Sequence, residues 1–548
     1  MSGTVTPPKP ARQKSEALGG KVGRGMSWMA SATLIVKILS FASTIVLGHL
    51  LSEDDYGVYG MAMGLSAFAQ VLRDGGMRRI LIQKQAHRYA GLSGPMYWFS
   101  GSFNMVAGVL LGAAAFPLAW LYDEPELAGV LLATAVSIPL TTAMGVYRAK
   151  MAVDLQFRQL AAMNTYGAVV RYASMILFAM LGFGALSFTL PLVAMSIFEG
   201  AYGYWATRDS PWRRSPRLRL WPALWSKAKW IVLGTLAMAT LRQGDYFVFG
   251  LLKARQWLST GAVGQYVFAF QIAVQINVLV AVNLQAVLFP ALTKLVHEPM
   301  RYVQAVLRAT RVMMLVGSVF GLGLACVMSP LESLLWDGKW AESVGAVMWM
   351  AAFFPMRLLT SVLNSAQMSR GRFKEWFWLT LLQGVGMMGA AAIAGLLFNH
   401  AEQLSLIIGV YFLVGVTPTC LWGMARCGVP WKQSLLAVTP AWLVVCAAGG
   451  LTLILAHLVG PISIGHVRWV DLSLEVMLRG VTFSVLAVIG LRVFAKRSLA
   501  ETVEVAPART RRMVRKILRL PAPGRRATAA ASQSEAVAAT EAMRDEES

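Results

Sequence analysis

Residues 229–252, KWIVLGTLAMATLRQGDYFVFGLL, are apolar over the length of a membrane crossing yet carry Arg242 and Asp245 near their middle. At about 1.5 Å per residue the segment spans a hydrocarbon core roughly 30 Å thick. A charge at that depth is costly unless it faces a partner or a watery cavity. Arg242 and Asp245 are three residues apart and share a helical face. Two readings stay open: the two charges neutralise each other, or they line an aqueous path inside a helical bundle.

Outward from that segment the whole chain has the same character. Of 548 residues 56% are hydrophobic and only 14% charged, and mean hydropathy is +0.56. This excludes an ordinary soluble domain and gives an all-α polytopic membrane protein. Crossings are expected at 25–50, 56–73, 94–120, 127–147, 160–182, 186–206, 229–252, 265–289, 309–329, 342–364, 375–398, 403–424, 434–458 and 472–495, about 14 transmembrane helices. The first apolar run is too long for a cleaved signal and lacks a small-residue cleavage site.

The net charge of +23 sits in short connections between apolar runs, so it reads as a topology signal and not as a nucleic-acid surface. Most Lys and Arg fall in the two tails and in alternate loops. The opposite loops hold Lys253, Arg255, Lys339 and Arg468. Both termini are therefore expected in the cytoplasm of a multi-pass inner-membrane protein.

The most basic loop, RDSPWRRSPRLRLWPALWSKAK at 208–229, reads as a connector between two bundles. A weak internal repeat supports it: YGVYGMAMGLSAFAQVLRDGGMRRILIQ lies over VGQYVFAFQIAVQINVLVAVNLQAVLFP, placing Gly57 on Gly264 and Tyr59 on Tyr266. An even number of crossings separates the copies, which gives two six-helix bundles in parallel repeat plus two C-terminal helices. The expected divisions are a disordered tail at 1–24, a first bundle at 25–207, the connector at 208–228, a second bundle at 229–424, helices 13 and 14 at 425–495 and a basic tail at 496–548. Within that tail, 508–520 has the spacing of an amphipathic helix for an anionic membrane surface.

Three stretches resemble the oligosaccharide flippases of the polysaccharide-transporter branch of the multidrug/oligosaccharidyl-lipid/polysaccharide exporter superfamily, the Wzx-type proteins. They are LGHLLSEDDYGVYGMAMGLSAFAQVLRDGGMRRILIQKQ at 47–85, YRAKMAVDLQFRQLA at 147–161, and the run from Gly244 to Leu295 with Asp245, Gly264, Tyr266 and Phe289-Pro290-Ala291. The resemblance covers roughly residues 20 to 430. It implies movement of a polyprenyl-diphosphate-linked oligosaccharide between leaflets by alternating access around a cationic cavity. It names as partners the lipid-linked oligosaccharide, membrane lipid, and a polysaccharide polymerase and export machinery.

The basic residues inside the crossings agree with that requirement. Lys37, Arg171, Arg242 and Arg357 are the expected substrate-binding cations, since a diphosphate needs positive partners and Arg presents a fork to it. Lys37, about twelve residues from either end of its helix, is too far to snorkel easily, but the others have structural alternatives: Arg357 and Glu199 snorkel to the interface, Arg171 pairs with Glu199, and Asp245 neutralises Arg242. Glu475 and Arg479 read as a solvated pair near the outer surface. Gln271, Gln275, Asn277, Asn283 and Gln285 either wet a sugar path or join helices.

Enzyme chemistry has little support. Cys326, Cys420, Cys427 and Cys446 are scattered, the six His form no His-x-x-His pair, and the Gly pairs, such as Gly317 and Gly321, precede no Lys-Ser/Thr. No catalytic residue, metal or cofactor is therefore expected. The rivals are a multidrug exporter of the same superfamily, which favours an acidic cavity, and a membrane glycan polymerase or ligase, which favours a large outer loop.

Overall fold

The computed structural model describes residues 11–72, 89–154, 156–460 and 468–505. In chain order the helices are α1 (Ala11–Leu50), α2 (Glu53–Leu72), α3 (Tyr89–Tyr122), α4 (Pro125–Val153), α5 (Phe157–Met180), α6 (Leu190–Thr207), α7 (Trp221–Ala254) and α8 (Thr260–Lys294). They continue with α9 (Pro299–Trp336), α10 (Ser343–Ser369), α11 (Phe373–Leu397), α12 (Ala401–Arg426), α13 (Trp431–Val459), α14 (Arg468–Phe494) and the short α15 (Lys496–Val505). Each expected crossing falls on one of α1–α14. Ten of these are long and apolar enough to cross a membrane. The four outside that set, α2, α5, α7 and α8, carry much of the polar chemistry described below.

Local sequence explains where the helices begin and end. Pro125, Pro222 and Pro299 stand in the first turns of α4, α7 and α9, where a missing N–H costs nothing and φ is already helical. Ser259 caps α8, its Oγ accepting from the Ala262 N–H at 3.1 Å. α9 stops at Asp337 and Gly338, with φ of 54° and 88°, a left-handed pair that turns the chain into α10. α12 carries one π-helical turn at Phe412–Val416.

α1–α6 pack among themselves through α1 on α5, α3 on α4, α4 on α6 and α5 on α6. α7–α12 do the same through α7 on α11, α8 on α10, α9 on α10 and α10 on α12. α13 and α14 pack on each other and on α9, and α15 folds back against α9. The two bundles meet chiefly where α2 crosses α7 and α8. The expected packing role of the Gly pair holds, for Gly317 lies against Leu358 and Pro355 and Gly321 against the Ala351 carbonyl of α10.

Three boundaries differ from the sequence reading. α1 starts at Ala11, so most of the expected 1–24 tail is helical. α7 starts at Trp221, eight residues before the apolar run, because the connector is tied down. Arg214 reaches both Ser93 and Asp209, and Asp209 also takes Lys150 at 3.7 Å. The third difference is α15, whose Leu499 and Val503 are buried while Glu501 pairs with the buried Arg311 at 2.6 Å. The expected helix at 508–520, and residues 73–88 with the Asp-Gly turn and the Ile-Gln, lie outside the described residues.

Candidate functional site

One end of the molecule, where α1, α3 and α7 finish and α2, α4 and α8 begin, is sewn shut between the bundles. The last carbonyls of a helix have no partner within it. Those at the end of α1 and just beyond it find theirs in the α9–α10 turn: Trp340 Nε1 donates to Gly48 O at 2.9 Å and Lys339 Nζ to His49 O and Leu51 O at 2.9 and 2.7 Å, while Trp336 Nε1, at the end of α9, donates to Ile45 O one turn inside α1 at 3.1 Å. The end of α3 is treated alike, for Lys253 Nζ donates to Tyr122 O at 2.7 Å and to Asp123 O at 3.1 Å and pairs with Glu124 at 2.7 Å. A cation at a helix C-terminus also meets the negative end of the macrodipole. Gln265 Nε2 completes the seam, donating to Glu53 and Glu342 at 2.8 Å each.

These groups feel their surroundings. Burial, then the nearby Glu342 and Asp54, pushes the Glu53 carboxyl above the usual carboxylate range, against the Gln265 hydrogen bond and Lys339, which lower it. Burial pulls Lys339 below the usual ammonium range, although Asp55 and Glu53 oppose it. At the far end, burial pushes the Cys427 thiol up.

Below the seam the four expected cations lie at one level. Lys37, Arg171 and Arg242 stand nine to thirteen residues before the ends of α1, α5 and α7, and Arg357 fourteen residues after the start of α10. At 1.5 Å per residue this is roughly 14 to 21 Å from the sewn end. Lys37 and Arg171 share a cavity of about 260 Å³ together with Arg148 and Glu199. Lys37 also faces the other bundle, its Nζ 3.5 Å from Gln275 Oε1 on α8, and Gln275 reaches back to Ser40 at 3.2 Å.

Glu199 is buried, and its ion-pair partner is Arg148 at 2.7 Å, where the sequence suggested Arg171 or an escape to the interface. Arg148 sits near the end of α4, one residue past the expected crossing at 127–147. Glu199 lies so close over Gly167 of α5 that a Cβ there would stand 2.4 Å from its Oε1.

The second bundle holds the other two cations. Asp245 is fully buried and accepts from Tyr266 Oη at 2.7 Å. Its cationic neighbour is Arg357, while Arg242, one turn earlier on α7, is exposed. Arg357 does not snorkel. Its guanidinium stands 5.2, 5.7 and 5.6 Å from the ring centres of Phe270, Phe354 and Phe412, within the range of cation–π attraction. Phe412 opens the π-turn of α12, a feature no periodicity in the sequence announces.

A second cavity, of about 220 Å³, adjoins the first through Arg171 and is lined from α4 by Thr134, Ser137 and Thr141. The sequence reading overlooked this hydroxyl row and looked to α8 instead. Of the α8 amides, Gln275 joins helices, and the side chains of Asn277, Asn283 and Gln285 lie outside the described residues. The Glu475–Arg479 pair is mostly buried, with side chains 14% and 18% exposed, and lines a crevice with α13. It is not the solvated pair expected. No cluster of His, Cys, Asp and Glu suited to a metal occurs among the described residues.

Comparison with known proteins follows this geometry. The chain is 23% identical over 401 residues to the teichuronic acid biosynthesis protein TuaB of Bacillus subtilis, covering 71% of this chain and 80% of TuaB. It is 22% identical over 427 residues to the lipopolysaccharide biosynthesis protein WzxC of Escherichia coli, covering 73% and 82%. Its fold is similar to that of the lipid II flippase MurJ in an inward closed conformation, with a TM-score of 0.64 at 13% identity over 83% of this chain and 97% of that one. Residues 46–345 match the family described as polysaccharide biosynthesis protein, a stretch that holds two of the four expected cations, Arg171 and Arg242, and the chain belongs to that family.

Proposed function

We propose that this protein is a flippase, and not an enzyme, that carries a polyprenyl-diphosphate-linked oligosaccharide across the bacterial inner membrane for surface or exported polysaccharide synthesis. The bundles at 25–207 and 229–424 are the two moving bodies, both termini are cytoplasmic, and the sewn end is periplasmic. The observation that carries this reading is the cationic level: Lys37, Arg171, Arg242 and Arg357 lie near mid-membrane, where charge is retained only for a purpose. A diphosphate entering from the unsewn end meets those cations. Opening the seam then releases it outward, the alternating access that repeated bundles permit. A polymerase and export machinery are the partners that would consume the product.

An exporter of cationic drugs is the rival. It needs a carboxylate facing its cavity, but Asp245 is buried against Tyr266 and beside Arg357, and Glu199 is held by Arg148.

Purified protein in nanodiscs should bind a polyprenyl diphosphate carrying a sugar and ignore cationic dyes. Lys37→Ala and Arg242→Ala should each abolish glycan export at unchanged protein level. Dye binding with no affinity for the lipid-linked sugar overturns the proposal.

A further inference from the structure

The smaller cavity, about 220 Å³, differs in chemistry from the cationic one beside it. At about 30 Å³ per liquid water it holds the bulk of roughly seven waters, the size of one sugar ring. Thr134, Ser137 and Thr141 follow each other at helical spacing on one face of α4. Each hydroxyl donates to a carbonyl of its own helix, at 2.9, 2.7 and 2.7 Å. Their protons are therefore spent, and what they offer the cavity is oxygen lone pairs. Tyr59 and Gln243 face the same space, Gln243 coming from the second bundle, and Arg171 stands where the two cavities meet.

A row of acceptors suits a ligand rich in hydroxyl donors and repels a phosphate, whose oxygens only accept. We propose that this cavity is the seat of the sugar directly attached to the diphosphate. The diphosphate lies in the neighbouring pocket of Lys37, Arg148 and Arg171, and Arg171 spans the junction between them. Because Gln243 belongs to the other bundle, the seat closes on the ring only while the bundles are together on that side. This rests on the flippase reading and adds to it a site that reads the carbohydrate.

The test uses the full-length protein in nanodiscs and four ligands: bare polyprenyl diphosphate and the same carrier bearing one glucose, one galactose or one N-acetylglucosamine. The wild type should bind at least one glycosylated carrier ten times more tightly than the bare one. The variant T134V/S137A/T141V removes the acceptors and keeps the shape. It should lose that preference while holding the bare carrier as before, and T134S/T141S, which keeps the oxygens, should retain it. Equal binding of all four ligands by the wild type overturns the sugar seat and leaves the flippase reading standing. So does a triple variant that keeps the preference, or one that loses bare and glycosylated carriers alike. Failure of the wild type to bind any of the four overturns both.

Discussion

Gly57 and Gly264, which occupy matching places in the two copies of the repeat, touch each other across the junction of the bundles. A Cβ on Gly264 would stand 1.8 Å from the Glu53 carbonyl oxygen and 2.9 Å from the Gly57 nitrogen, and one on Gly57 would stand 2.3 Å from the Thr260 carbonyl oxygen. The α2–α8 crossing is therefore where the two copies of the repeat meet. Only hydrogen fits there. Gly264→Ala should force the seam apart, costing the closed form about 1–3 kcal/mol as other overpacked contacts do. Spin labels at the exposed Leu50 and Trp257 should show a longer distance in the variant, and an unchanged distance distribution would contradict this.

Acid should close the same seam. A carboxyl raised by burial holds its proton more tightly in the closed form than in water. Opening therefore releases a proton from Glu53, and closure gains as pH falls through the raised value, the gain being complete below about 4.3, the ordinary Glu value. The same spin labels should report more closed protein at pH 5 than at pH 8. Glu53→Gln, permanently neutral, should be closed at both, whereas a wild type that opens on acidification would reverse the sign.

Asp245 and Arg357 should prove coupled in stability and separable in transport. Asp245→Leu leaves the Tyr266 hydroxyl without its acceptor and the Arg357 guanidinium without the neighbouring carboxylate, and should lower the thermal midpoint. The double variant D245L/R357M should regain most of the thermal midpoint and still export no glycan, because the cation is gone. Recovery of export in the double variant would show that the pair only holds the bundle together.

Truncation after Arg497 removes Glu501 and Glu504, the partners of Arg311 and Arg308 at 2.6 and 2.8 Å. Arg308 is well exposed and should hardly register. Arg311 is 7% exposed, and stranding it should lower the thermal midpoint measurably. Arg311→Met in the truncated chain should restore it. An unchanged midpoint on truncation would mean that α15 contributes nothing to the fold.

The fold was legible because membrane crossings are written as runs of apolar residues, and Lys229 to Leu252 alone shows how such a run is recognised. Gly57 and Gly264 were aligned from a faint repeat, and their contact explains why both copies keep glycine there. The individual charges were legible in depth but not in partner. Arg242 and Asp245 share a face on paper, yet a neighbouring helix supplies the nearer cation, Arg357, and Tyr266 completes the environment of Asp245. Glu199 found Arg148 in the same way, across helices whose angle no local pattern encodes. Thr134, Ser137 and Thr141 escaped notice because hydroxyl residues bonded to their own helix look like ordinary membrane sequence. Lys253 and Lys339 had counted only as exceptions to the charge bias of the loops. Each is there to cap a helix of the opposite bundle.

That capping has a consequence for how the gate moves. Carbonyls at Gly48, His49 and Leu51 receive hydrogen bonds from Lys339 and Trp340, and a dry gap between the bundles would strand all of them together. A small separation is thus the worst arrangement, with the side chains withdrawn and no solvent yet admitted. Stability returns only when the gap is wide enough for water to take over every acceptor at once. Hydration then competes with two side chains for one set of oxygens, and that competition favours an abrupt opening of the seam over a gradual one.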